Sequence, residues 1–272
     1  MKNSNLFGAL ALGAALLAGT VSADNHIFTY TYEPETEPRG DWEVEQWITS
    51  RVGRNAAVGQ QNYQHWQFRT EIEHGFTDRY TASLYINDDY KRFTDPATGA
   101  KISNNHWTGV SWENRYLVLD PVSHPVGLTL YLEPTYDGDN AELEQKIILG
   151  QRHGDWKWAV NLTHATEWSD DFRATEGELE ISAGLARQLT HRWSVGLEIR
   201  DHNELPEYRE WQNTAVFIGP VVSYRRQNWW AALSVMAQVY GANFTGDPDA
   251  SHRLELQGHE RLNMRLLVGF SF

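Results

Sequence analysis

Cysteine is absent from the 272 residues. That excludes disulfide staples, thiolate metal centres and a lipid anchor on cysteine. Long apolar runs are scarce: the run over residues 6–18 is too short to span a bilayer comfortably as a helix, no second long one follows, and the mean hydropathy is −0.56. Helical membrane spans are excluded, but a β-barrel is not, because its lipid face draws on alternate residues only. Basic residues are few. Lys and Arg number 23 against 36 Asp and Glu, a formal net charge of −13 that becomes −14 once Lys2 is lost with a leader. Nucleic acid is a poor partner for such a surface. Common chemical signatures are missing too: there is no His-x-Ser, no Gly-x-Ser-x-Gly and no His-x-x-x-His. No catalytic residue, metal site or cofactor is expected.

The apolar stretch that does occur is at the N-terminus. Lys2 precedes an Ala/Leu-rich run over 6–18, and Val21-Ser22-Ala23 before Asp24 has the small-residue pattern of a cleavage site. Residues 1–23 read as a secretory signal peptide. Residues 24–40 follow, carrying Glu33, Pro34, Glu35, Glu37 and Pro38, an acidic and irregular segment placed where it could fold inside a barrel as a plug. Residues 41–272 are the remaining domain.

Its last strand sets the fold class. Leu262, Met264, Leu266, Val268, Phe270 and Phe272 alternate with Asn263, Arg265, Leu267, Gly269 and Ser271. A period of two puts the sets on opposite faces, and a closing strand of this kind resembles the signal that outer-membrane barrels present to their assembly machinery. Eleven further strands are expected near 41–52, 61–74, 79–90, 106–119, 126–136, 142–152, 156–168, 177–188, 193–202, 213–225 and 229–240. The expected fold is all-β: a single transmembrane antiparallel up-and-down barrel of about twelve strands. The strand number is even, as in bacterial single-chain barrels. Short turns near 76, 153, 190 and 227 broadly alternate with longer connections near 97, 172, 207 and 247, although 137–140 is shorter than the scheme prefers. The 12 Trp and 12 Tyr suit interfacial girdles. Tyr80, Trp156, Trp193, Trp229 and Phe272 are expected at the periplasmic membrane interface. A secreted β-sandwich would share the alternation, but not aromatics gathered at strand ends or a terminal Phe.

Gly75-Phe76-Thr77-Asp78-Arg79, Asp120-Pro121 with Pro125-Val126-Gly127, Gly219-Pro220 and Gly269-Phe270-Ser271-Phe272 resemble the turns and strand ends of twelve-stranded transporter-type outer-membrane barrels, a group with members from phenol meta-pathway clusters. The resemblance spans most of the mature chain and concerns architecture. It implies an outer-membrane location and porin-like transport, and carries over no catalytic residue.

Parity places Arg69, Glu71, Glu73, Glu113, Arg115, Glu133, Glu144, Lys146, Glu178, Glu180, Glu198, Arg200 and Arg265 on the lumen face. Carboxylates in excess would favour cations in an open pore for small solutes. The alternative is a lumen closed by its own ion pairs, with Arg69 near Glu71, Arg115 with Glu133 and Arg200 with Glu180. Expected partners are therefore outer-membrane lipid, the barrel-assembly machinery and small solutes. An outer-membrane enzyme has little support, since Ser123-His124 and Ser251-His252 both fall in connections. The 11 histidines are scattered, so a metal site would need convergence from separate strands.

Overall fold

The computed structural model describes residues 26–55, 61–170, 172–206, 208, 210–246 and 253–272. The expected signal peptide and the Ser251-His252 pair lie outside them. Twelve strands follow in order: β1 (Trp42–Val52), β2 (Gln61–Thr77), β3 (Tyr80–Thr94), β4 (Lys101–Leu119), β5 (Gly127–Tyr136) and β6 (Ala141–His153). The second half comprises β7 (Trp156–Ser169), β8 (Ala174–Gln188), β9 (Trp193–Pro206), β10 (Asn213–Arg225), β11 (Trp229–Asn243) and β12 (Leu262–Ser271). Each pairs with its chain neighbours, and β1 pairs with β12 to close the barrel. Closure leaves no sheet edge. Beyond the β1–β12 ladder, Phe272 and Trp42 exchange backbone hydrogen bonds of 2.9 and 3.2 Å.

Alternation decides which side each residue takes. Leu84, Ile86, Trp112, Leu130, Ile147, Ile181, Leu197 and Val239 stand exposed on the exterior. An apolar band running round a barrel suits lipid and would be a liability in water. Polar residues fill the other parity, so Glu71, Asn161, Ser182 and Ser234 are buried.

The strands on one side outrun the sequence expectation. The long loop expected over 91–105 is mostly ladder, with Thr94 paired to Lys101 and a tight Asp95-capped turn between. Similarly β9 continues to Pro206 and β8 starts at Ala174. The cause is simple: backbone ladders do not need an apolar face, so strands extend where both faces are polar and the alternation fades. β12 begins at Leu262, and residues 253–261 instead fold against the barrel interior, where Glu255, Leu256, His259 and Glu260 are buried.

Candidate functional site

The bore is filled from two directions. Residues 26–38, the acidic lead segment, run inside the barrel without joining its sheet. Their strongest anchor is Glu198 on β9, whose Oε1 accepts the backbone N–H groups of Thr29, Tyr30 and Thr31 at 3.0, 2.9 and 3.1 Å. Thr29 Oγ1 adds a 3.1 Å bond to Oε2 and lies 2.5 Å from Ser234 Oγ on β11. Two strands along the wall, Asn161 on β7 pairs reciprocally with Tyr32, accepting from its N–H at 2.6 Å and donating to its C=O at 2.9 Å. This segment has no ladder, so side chains of the wall must satisfy its backbone.

Shape matches chemistry along the segment. Phe28 packs among Ala159, Ala186 and Val221. A Cβ on Gly184 would come within 2.5 Å of its ring. Pro34 lies against Gly127 and Gly150, while Gly75 would meet the carbonyl oxygen of Pro38 at 2.1 Å if it bore a side chain. Small residues in β2, β5, β6, β7 and β8 thus form the groove that the segment fills.

Phe28, Tyr30 and Tyr32 alternate with Thr29 and Thr31, a period-two signal visible in the sequence but not tied to a site there. Tyr32 joins Trp47, Tyr85, Tyr131 and Trp230 in a buried aromatic cluster. Several aromatics counted toward girdles therefore occupy the bore. Burial, and then the Glu113 carboxylate, push the Tyr32 phenol well above its ordinary range, keeping it a neutral donor 3.4 Å from Glu113 Oε2.

The charged residues form two networks. On β2–β5, buried Arg115 hydrogen-bonds Glu73, and its Nε makes an ion-pair contact with Glu113 Oε1 at 2.7 Å. The expected Arg115–Glu133 pair is not formed. Glu133 is taken by Arg69 at 2.7 Å, whose guanidinium crosses the Tyr85 ring 4.1 Å from its centroid. The proposed Arg69–Glu71 neighbourhood is likewise replaced. Adjacency in the ladder misleads here because a long side chain on the concave face reaches strands beyond its neighbour. Glu71 is buried opposite Glu45, whose Oε2 accepts Trp47 Nε1 at 2.6 Å.

On β6–β12, Glu144 holds Lys146 at 2.5 Å, and Lys146 Nζ sits 4.6 Å from the Tyr32 centroid. Arg200 and Glu180 form the pair expected, at 2.5 Å. Arg265 Nη1 donates to Thr29 O at 3.1 Å and covers Tyr30 at 3.8 Å, with Arg200 also facing that ring at 5.1 Å. Cations thus bind the segment's aromatic faces as well as the wall's carboxylates.

From the loop side, Glu255 accepts the N–H groups of Gln257, Gly258 and His259 at 3.1, 2.9 and 3.0 Å. Glu260 pairs with Arg54 at 2.7 Å; against the cost of burial, Arg51 and Arg54 hold its carboxyl below the usual range. Burial, with His202 and Arg200 nearby, pushes the His259 imidazolium down to about 2, so the ring is neutral. The loop brings His259 beside His202 on β9, with ring centroids 5.0 Å apart. Glu178 lies 3.6 Å from His202 Nε2.

Among the described residues, a cavity lies on each side of residues 26–38. The larger, about 420 Å³, is lined by Tyr30, Tyr32, Trp47, Arg69, Glu144 and Glu180 among others. The smaller, about 200 Å³, is lined by His26, Ile27, Lys157, Arg192, Arg225 and Trp230. They share no lining residue, and the segment contributes to both.

Tyr80, Trp156, Trp193 and Trp229 each open a strand, and Phe272 follows the end of β12, so all five stand at one rim of the barrel. Trp193 and Trp229 flank Tyr224, with centroids 4.7 and 5.2 Å away. Ser123 and His124 lie in the exposed β4–β5 turn, where Ser123 Oγ is 3.0 Å from His124 Nδ1. That contact between chain neighbours closes a turn built on Asp120, which also accepts from Val122 N–H at 2.8 Å.

A closed twelve-stranded antiparallel barrel with an apolar exterior and a charged, occupied bore is the architecture of a membrane β-barrel. The chain belongs to the DUF6662 family, described as a family of unknown function, which matches residues 20–148 and 148–272. No curated protein matches its sequence. Among solved structures, the COG4313 outer membrane channel from Pseudomonas putida F1 is similar at 11% identity and a TM-score of 0.59, over 88% of this chain and 97% of that one. The beta domain of the Bordetella autotransporter BrkA is similar at 13% identity and 0.54, over 87% and 100%. The NanC porin is similar at 11% and 0.52, over 84% and 98%. These likenesses bear on the fold.

Proposed function

We propose that this chain is an outer-membrane channel or transport component for small solutes, held closed by its own N-terminal segment. The observation that carries the reading is the divided bore: residues 26–38 separate two polar cavities inside a barrel whose exterior is apolar. Barrels that only need a core can fill it from their walls. Here a segment outside the sheet does so, held by polar contacts that can be exchanged for water. Channels and porins among the similar structures lend support at the level of class.

Lumen carboxylates exceed cations, so the opened bore favours small cations or solutes with a cationic group. Tyr80, Trp156, Trp193, Trp229 and Phe272 would sit in the periplasmic headgroup layer. The closing strand with Phe272 would engage the assembly machinery, after export by the cleaved leader.

The test is planar-bilayer recording under a salt gradient, comparing the refolded mature chain with one lacking residues 24–38. The mature chain should be silent or open rarely. The shortened chain should give stepwise currents with a cation-selective reversal potential. Equal currents from both would refute the plug. Silence from a shortened chain shown to be folded by heat-modifiable migration would favour a second reading, a non-conducting binding or structural barrel, which the buried Arg115 and Arg69 networks also support.

A further inference from the structure

The wall beside the larger cavity carries charge that its ion pairs leave unbalanced. Glu178 faces Glu204 across the β8–β9 ladder, and Glu142 faces Glu167 across β6–β7. Carboxylates directly opposite one another repel. Among the described residues, none of these four forms an ion pair with lysine or arginine; the cations nearby, Lys146 and Arg200, are engaged by Glu144 and Glu180.

Two histidines converge on this wall. His202 precedes Glu204 by two residues and shares its face; its Nε2 is 3.6 Å from Glu178 and its Nδ1 is 3.0 Å from Glu180. His259 arrives from the inward-folded loop, its Nε2 3.9 Å from Glu204 Oε1. One donor atom from each of His202, Glu204 and His259 falls within 4.8 Å of the others, and both imidazoles are more than nine-tenths buried.

We propose that His202, Glu204 and His259, with Glu178 completing the donor set, form a binding site for a divalent transition-metal ion of the zinc type. Two imidazoles with carboxylates suit such an ion, whereas calcium and magnesium prefer all-oxygen shells. Bonds of about 2.0–2.2 Å to nitrogen and oxygen place donors roughly 3–4 Å apart, close to the separations already present. Glu180 Oε2 and Arg200 Nη2 both lie 3.0 Å from Nδ1 of His202; with the proton on Nδ1, Glu180 is the outer carboxylate that orients a ligating imidazole and leaves Nε2 for the metal. His259 now makes a 2.9 Å contact to Asn213 Oδ1, which it exchanges for the ion or keeps while ligating through its other nitrogen. The ion would offset the Glu178–Glu204 repulsion. It would also fasten the β11–β12 loop to the β8–β9 wall, fixing that loop over the larger cavity.

The test uses the refolded mature protein, free of any affinity tag and stripped with chelator. It is titrated with Zn²⁺ by calorimetry and with Co²⁺ by visible absorption. One ion per chain should bind, with a Co²⁺ band indicating nitrogen ligation and no competition from excess Ca²⁺. His202→Ala and His259→Ala should each weaken binding at least about tenfold, and Glu180→Gln by about tenfold through orientation alone. Heat-modifiable migration verifies that each variant is folded, and the His259 variant alters only the loop. No binding to the wild type, full affinity in both histidine variants, or equal competition by Ca²⁺ would overturn the site. Conductance is not the readout, so this result and that of the plug deletion are separate.

Discussion

Glu198 does at the residue scale what sequence parity cannot reveal. Parity puts it on the inner face; the structure shows it accepting three backbone N–H groups and one hydroxyl from the N-terminal segment. Losing the acceptor strands buried donors at about 1–3 kcal/mol each before relaxation. Glu198→Ala should therefore release the segment while leaving the barrel folded, read as faster proteolysis within residues 26–38 at unchanged heat-modifiability. Protection equal to wild type would contradict the anchoring role. Arg115 is the opposite case, since it compensates two buried carboxylates in the wall itself. Arg115→Leu should cost the barrel about 3–5 kcal/mol, seen as a lower urea midpoint at unchanged slope. A shift below about 1 kcal/mol would show that Glu73 and Glu113 are not held by this cation.

At the scale of elements, the strands were legible and their contents were not. One face meeting apolar surroundings imposes a strict period of two, so the strands read from alternation together with the turn signals between them. Where both faces are polar the signal disappears, and the tip of the β3–β4 hairpin, residues 91–105, reads as loop although it is mostly ladder. The ion pairs resisted reading for another reason: Arg69 on β2 reaches Glu133 on β5 across the curved wall, a contact that ladder adjacency does not encode. Residues 26–38 obey no periodic rule except Phe28, Tyr30 and Tyr32, and their conformation is set by the groove that receives them. Gly184 tests that fit. Gly184→Val adds bulk where a Cβ alone would lie 2.5 Å from the Phe28 ring, and its β-branched side chain favours the strand. The variant should keep its barrel and expel the segment, giving current in bilayers where wild type gives little. A folded variant as silent as wild type would mean that Phe28 does not need this space.

On the scale of the whole molecule, closure and division of the bore are the features that matter. Twelve strands enclose more room than their own side chains fill, and the chain supplies the rest from its N-terminal segment and its last long loop. Sequence charge pointed to a polar interior but could not say whether water or the chain itself would occupy it, because the balance depends on two segments that are not strands. The same gap hid the meeting of His202 and His259, since one is on a strand and the other on a loop that folds inward.

The absence of native cysteine allows a direct test of the central claim, that the segment inside the bore is a movable closure. Thr29 Oγ1 and Ser234 Oγ lie 2.5 Å apart, one on the segment and one on β11. In the Thr29→Cys, Ser234→Cys double variant, oxidation should lock the segment to the wall. Single-channel recording should then show silence when the pair is oxidised and, when it is reduced, openings at least as frequent as the rare ones of the unmodified chain. Openings that are identical in both states, with the disulfide verified, would contradict the account.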